Sequence, residues 1–158
     1  MGKRLGVLSV MIAAAAVVVG VAIPAAGSSG HHGQQRTFRV TATVSEGTQI
    51  DLGAKGPSLG DELVFSGPLL QGGHQIGHQS GVCTTVSMAR QEAQCIATYS
   101  FRGGQITAQT VIVLNSPAPY LVAITGGTGS YQGAEGQIHV RPATATNPKG
   151  ILTFQLED

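Results

Sequence analysis

From residue 38 onward the chain alternates apolar and polar positions with period two, and Gly-rich or polar breaks interrupt it at short intervals. Such alternation turns one face of each segment to a core and the other to water, the mark of half-buried β-strands. In residues 38–44 the side chains of Phe38, Val40, Ala42 and Val44 fall on one face. Further strands are predicted at 62–66, 82–88, 94–101, 105–114, 120–125, 136–141 and 151–156, with a short one near 75–78. The stretch through Lys55, Pro57 and Gly60 reads as a polar loop, Ala89-Arg90-Gln91 as a link between two strands, and Gly103-Gly104 as a tight hairpin. Almost nothing follows the helical period. About eight short strands at regular spacing, without internal repeats, predict one all-β domain, either a sandwich or an up-and-down barrel.

The first thirty residues break this pattern. Lys3 and Arg4 are the only charges before Arg36, and residues 5–23 are apolar or small throughout. Pro24-Ala25-Ala26-Gly27-Ser28 follows. A basic start, an apolar stretch and a small-residue end predict a secretory signal peptide over 1–27, hence a secreted, extracellular protein. The alternative is an uncleaved anchor, since the stretch approaches the roughly 18–20 residues that span a bilayer. Residues 28–36 are expected to form a flexible leader and 37–158 a single domain, with no membrane contact after cleavage. A mature chain of about 131 residues is long enough to bury a core without metals or many disulfides.

Composition narrows the function classes. Charged residues make up only 11% of the chain, and without Lys3 and Arg4 seven basic residues face eight acidic ones. No basic stripe is present to neutralise phosphates, so no nucleic-acid partner is expected. Gly126-Gly127-Thr128-Gly129 lacks the Gly-Lys-Ser/Thr of a phosphate loop and precedes a strand, so it reads as a tight turn. Asp61-Glu62, the only adjacent acidic pair in the body of the chain, is expected at a solvated strand edge. Tyr99, Phe101, Tyr120 and Tyr131 are expected to pack in the core and on barrel faces. His74, His78 and His139 are weighed as a zinc set, but no carboxylate is suggested to orient them, and surface positions are expected instead. Cleavage after Ser28 would leave Ser29-Gly30-His31 at the N-terminus, a spacing suited to square-planar Cu(II). With those two weighed, no metal and no cofactor is expected.

Cys83 and Cys95 are equidistant from Ala89 on consecutive predicted strands, so a hairpin turning there sets them opposite each other. Export makes a disulfide the expected state, and a reactive thiol the alternative. Closing so short a loop contributes on the order of 2–3 kcal/mol.

From Gly60 onward the chain resembles the allene oxide cyclase and dirigent barrel superfamily. The residues that carry the resemblance run from Tyr120 through Gly126-Gly127-Thr128-Gly129, Tyr131 and Gly133-Ala134-Glu135-Gly136. Gly60-Asp61-Glu62-Leu63-Val64-Phe65, Gly81-Val82-Cys83-Thr84, Ala97-Thr98-Tyr99-Ser100-Phe101 and Gly104-Gln105-Ile106-Thr107-Ala108-Gln109 support it in the same order. The resemblance implies an eight-stranded antiparallel β-barrel, often a homotrimer, around an apolar cavity. It also implies cavity-lining positions at Gly67, Cys83 and Ile112. There the plant cyclases carry an Asn, a Cys and a Tyr, and only Cys83 matches. No Asp or Glu stands in 38–44, and Ser66-Gly67 replaces the Asp pair of dirigent proteins. The expected function is therefore binding a small apolar ligand, or guiding its cyclisation or coupling by shape, with catalytic residues unassigned. The alternatives are an extracellular structural or interaction module whose barrel is filled by its own side chains, and an isomerase or cyclase of allene oxide cyclase type that uses Cys83 or a loop residue.

Overall fold

The computed structural model describes residues 35–144 and 149–157. The predicted signal peptide, the leader up to residue 34 and the Ser29-Gly30-His31 triplet lie outside the described residues. Nine strands follow in order: β1 (Arg36–Ala42), β2 (Glu46–Ile50), β3 (Glu62–Gln71), β4 (His74–Ser87), β5 (Glu92–Phe101), β6 (Gly104–Val113), β7 (Tyr120–Gly127), β8 (Glu135–Arg141) and β9 (Gly150–Glu157). Arg36, assigned to the leader from sequence, is the first residue of β1 and pairs with Leu156.

Every strand pairs antiparallel with its sequence neighbour from β2 to β9, apart from β1, which lies against β9 and also against β3. That last pairing closes the sheet. β1 ends with Ala42 opposite Leu69, and β2 starts with Glu46 opposite Ser66. Between them the Thr43 N–H donates to the Pro68 carbonyl at 3.3 Å and the Ser45 N–H to the Ser66 carbonyl at 2.9 Å. β1 and β2 are thus two halves of one bent strand, and the molecule is a closed eight-stranded antiparallel barrel. The bend needs Gly67: a Cβ there would stand 1.8 Å from the Thr43 carbonyl oxygen.

Two elements differ from expectation. β2 (Glu-Gly-Thr-Gln-Ile) is exposed along its whole length, so it has no buried face to produce an alternating pattern. β4 is one strand of 14 residues, where the sequence predicts two. The predicted break, residues 79–81, remains in the ladder opposite Tyr99, Thr98 and Ala97. Gly81 ends it, and has no room for a side chain: a Cβ there would meet the Phe65 ring at 2.6 Å and the Ile96 carbonyl oxygen at 2.7 Å.

The interior is uneven along the barrel axis. Towards one end the Phe38 and Phe154 rings stack at 4.7 Å, with Phe101 and Tyr99 edge-on to Phe154 at 5.7 and 5.1 Å. Ile106, Ile138, Leu69 and Leu156 complete this fully buried plug. Across its outer edge the Gly-rich turn latches onto the β5–β6 hairpin. Thr128 N–H donates to Gln105, Ser130 N–H to Gly103, and the Thr128 hydroxyl accepts from the Gln105 N–H. Gly129, at φ 60°, begins a single 3-10 turn here and passes so close to the Gly103 carbonyl that no side chain fits. This supports the reading of the motif as a turn.

Candidate ligand site

Moving along the inward face from the aromatic plug, the side chains become small. On β1, β5 and β6 the inward residues are Ala42, Ala97 and Ala108, and on β9 the backbone of Gly150 stands where a side chain would be. Rings and branched chains fill one half of the barrel, and alanines leave the other half hollow. The result is a cavity of about 400 Å³ that opens at the end opposite the plug. That falls within the usual range of small-molecule sites, roughly 300–1,000 Å³. Its mouth carries Val44 and Leu63, 57% and 45% exposed, so apolar surface continues out to solvent.

No Asp, Glu, Lys, Arg or His is among the lining residues. Polar groups are few: Tyr99, Tyr120, Gln79, Thr43 and Thr110. The Thr110 hydroxyl donates to the Leu121 carbonyl at 2.8 Å, bridging β6 and β7 where their ladder has already ended at Gln109 and Ala123. Gln79 sits directly opposite Tyr99 in the β4–β5 ladder, and its Nε2 donates weakly to the Thr43 carbonyl at 3.4 Å. Burial pushes the Tyr99 phenol far above its ordinary value, and the Tyr120 phenol adds a smaller push. Burial raises Tyr120 as well. Both therefore keep their protons at neutral pH and act as hydrogen-bond donors.

Cys83 and Cys95 are opposite each other in the β4–β5 ladder, with Cα atoms 4.0 Å apart, and form a disulfide in the cavity wall. Among the described residues no cysteine is free, so Cys83 has no thiolate to offer as a nucleophile. Ile112 also lines the cavity. Gly67 lies on the inward face of β3 but is not among the lining residues, because the Thr43 carbonyl is folded over it.

The acidic pair differs from expectation. Asp61 is only 5% exposed and organises the loop before β3: its carboxylate accepts from the Leu52 N–H at 2.9 Å, the Ser58 N–H at 2.7 Å and the Ser58 hydroxyl at 3.0 Å. The Leu52 and Ser58 amides, in that order, hold its carboxyl below the usual range, against a smaller opposing effect of desolvation. A short polar side chain three residues after Ser58 is a recognisable loop-closing signal that the sequence reading passed over. Glu62 accepts from the Thr84 hydroxyl at 3.4 Å, and neither carboxylate lines the cavity. His74, His78 and His139 do not come together. His139 joins Gln137 and Gln155 at 3.2 and 2.9 Å, and no metal-binding cluster occurs among the described residues.

An eight-stranded barrel with one blocked end and one apolar pocket calls for comparison with known proteins. The sequence matches the allene oxide cyclase barrel like domain over residues 38–152. The chain belongs to this family. Among curated proteins, none matches the chain in sequence. Solved structures of similar fold include a pyocyanin demethylase, 28% identical with a TM-score of 0.67, covering 77% of this chain and 99% of its own. A pterocarpan synthase dirigent protein is 16% identical with a TM-score of 0.60, covering 79% and 89%. A Diels Alderase from Streptomyces koyangensis is 17% identical with a TM-score of 0.62, covering 82% and 71%. At such identities the last two are alike to this chain in fold alone.

Tyr99, Tyr120 and Gln79 are what the sequence reading missed as site residues. The tyrosines were assigned to packing, and Tyr99 does pack against Phe154 while also lining the cavity. The legible signal was the inward alanines. Strands that alternate correctly but carry Ala at 42, 97 and 108 cannot fill a barrel.

Proposed function

We propose that this protein is a secreted barrel that holds a small apolar molecule in the open half of its interior and directs its cyclisation or coupling by confinement. The observation that carries this reading is the cavity of about 400 Å³ with no charged side chain on its wall. Confinement needs no acid–base pair. A wall that admits one conformer of a reactive ligand removes the entropy that would otherwise scatter its products. The likeness in fold to a pterocarpan synthase dirigent protein and to a Diels Alderase supports the class of chemistry. The pyocyanin demethylase supports a ring-bearing ligand. The trimer implied by the resemblance is part of the proposal and is tested by sedimentation equilibrium. Secretion is tested by N-terminal sequencing of protein recovered from the medium.

Thermal unfolding against apolar extracts of the producing cell tests the central claim. A ligand at a hundred times its Kd stabilises the fold by about 2.7 kcal/mol, enough to raise the melting temperature by several degrees. Ala97→Leu, which fills the cavity from β5, should abolish the shift. If no extract component shifts the native protein, or Ala97→Leu responds equally, the reading is wrong. The alternative of a barrel filled from end to end does not fit an interior that is plugged at one end only. A cyclase using Cys83 as nucleophile does not fit a Cys83 held in a disulfide.

A further inference from the structure

We infer that the cavity selects neutral, ring-bearing ketones or quinones, whose carbonyl oxygen accepts hydrogen bonds from the hydroxyls of Tyr99 and Tyr120. This rests on the proposed function and narrows it to a ligand class.

Three observations lead to it. Tyr99 is 5% exposed and Tyr120 half-buried, both line the cavity, and among the described residues neither hydroxyl has a hydrogen-bond partner. Yet no side-chain polar atom of the described residues is both sealed from solvent and unpaired. Both hydroxyls are therefore reachable by solvent, and both residues line the cavity. A ligand that displaces water from them without offering an acceptor leaves them unpaired, and one that offers an acceptor does not. Each phenol O–H is a donor at neutral pH, and a ligand carbonyl oxygen complements the pair.

The second observation is the missing cation. A ligand carboxylate would enter a wall with no Lys, Arg or His to pair with it, and an unpaired buried charge is far more costly than an unpaired carbonyl. A ligand that must bury a carboxylate against this wall is therefore disfavoured. The third is the aromatic wall. Phe65, packed against Gly81, lines the cavity together with Tyr99 and Tyr120, so three aromatic rings stand in its wall. Gln79, beside Tyr99, adds an amide oxygen that can accept from a ring N–H or O–H where the ligand has one.

Three probes on one tricyclic ring skeleton test the inference: 9-fluorenone, fluorene and fluorene-9-carboxylate. Binding is measured by calorimetry, together with the infrared carbonyl stretch of bound fluorenone. Fluorenone should bind about tenfold tighter than fluorene, the value of one net hydrogen bond. The carboxylate should bind weakest, and the carbonyl stretch should move to lower frequency on binding. In the double variant Tyr99→Phe with Tyr120→Phe, fluorenone and fluorene should bind within about threefold of each other and the stretch shift should vanish. Equal binding of fluorenone and fluorene to the native protein, or a preference that survives the double variant, overturns the carbonyl assignment. In that case fluorene binding that is lost in Ala97→Leu leaves the cavity reading standing. Tightest binding by the carboxylate overturns the neutral-ligand claim. Binding by none of the three overturns this inference and the proposed function together.

Discussion

Gly67→Ala tests whether the bend between β1 and β2 is what closes the barrel. A methyl group at 67 would lie 1.8 Å from the Thr43 carbonyl oxygen, 2.9 Å from its carbon and 3.0 Å from the Ser45 nitrogen. All three are backbone atoms, so no side-chain rotation relieves the contact, and the 43–45 segment must retreat by more than an ångström. Three hydrogen bonds depend on its position: Thr43 N–H to Pro68, Ser45 N–H to Ser66, and Gln79 Nε2 to Thr43. At about 0.5–1.5 kcal/mol each, their loss or weakening gives a destabilisation of about 2–4 kcal/mol. Against a typical domain stability of about 5–15 kcal/mol this is severe but need not unfold the protein. Urea denaturation followed by circular dichroism is the assay. With a slope of about 1–3 kcal/mol per molar, the midpoint should fall by about 0.7–4 M. Gly47→Ala is the control. It sits on exposed β2 with its nearest neighbours at 3.4 and 3.5 Å, and should stay within about 0.5 kcal/mol of the native protein. Equal midpoints for Gly67→Ala and Gly47→Ala would refute the reasoning.

Replacing Cys83 and Cys95 together by alanine should cost about 2–3 kcal/mol, the loop-closure term for a separation of this order. Reductant should lower the urea midpoint of the native protein and leave that of the double variant unchanged. Above pH 10 the unfolded tyrosines ionise while Tyr99 and Tyr120, raised by burial, hold their protons, so stability that is complete below pH 10 is lost as pH rises towards the folded values. Melting temperatures from pH 8 to 11 should fall less steeply for Tyr99→Phe; an identical slope would contradict the buried phenol. Asp61 has the opposite sign. Its lowered value contributes stability above about pH 4 that is lost as pH falls, so Asp61→Asn should flatten the acid limb of the stability curve.

The sequence carried the fold wherever one face of a strand is buried. β1, β5 and β9 alternate because Val40, Ala97, Tyr99, Leu152 and Phe154 must point inward, and a pattern of period two records that requirement. β2 left no such record, since nothing on it is buried. β4 reads as two strands because Gln79-Ser80-Gly81 resembles a polar break, and only the fold shows that Phe65 and the Ile96 carbonyl fill the space beside Gly81. The disulfide was legible from symmetry about Ala89, as hairpin pairing is a matter of counting. Asp61 was not, because a carboxylate that closes a loop and one at a solvated edge look alike in one dimension. Tyr99 and Tyr120 were assigned to packing for a similar reason: alternation shows that a side chain points inward, but not whether it meets protein or empty space.

Small barrels usually fill their interiors with side chains. This one places three of its four phenylalanines, Phe38, Phe101 and Phe154, in a single cluster, and sets alanines at 42, 97 and 108 in the other half. The two choices are coupled. Rings gathered at one end supply packing enough to hold the closed sheet, as the fully buried Phe154 with its three ring contacts illustrates. The open half is then released from the work of filling itself, and its wall is tied instead by the Cys83–Cys95 bond and by Asp61 at the loop beside it. Substitutions among the inward alanines should therefore alter what the cavity admits before they threaten the fold, whereas Phe154→Ala, at about 3–5 kcal/mol, should endanger the whole barrel. A scaffold divided in this way can change its ligand without changing its architecture.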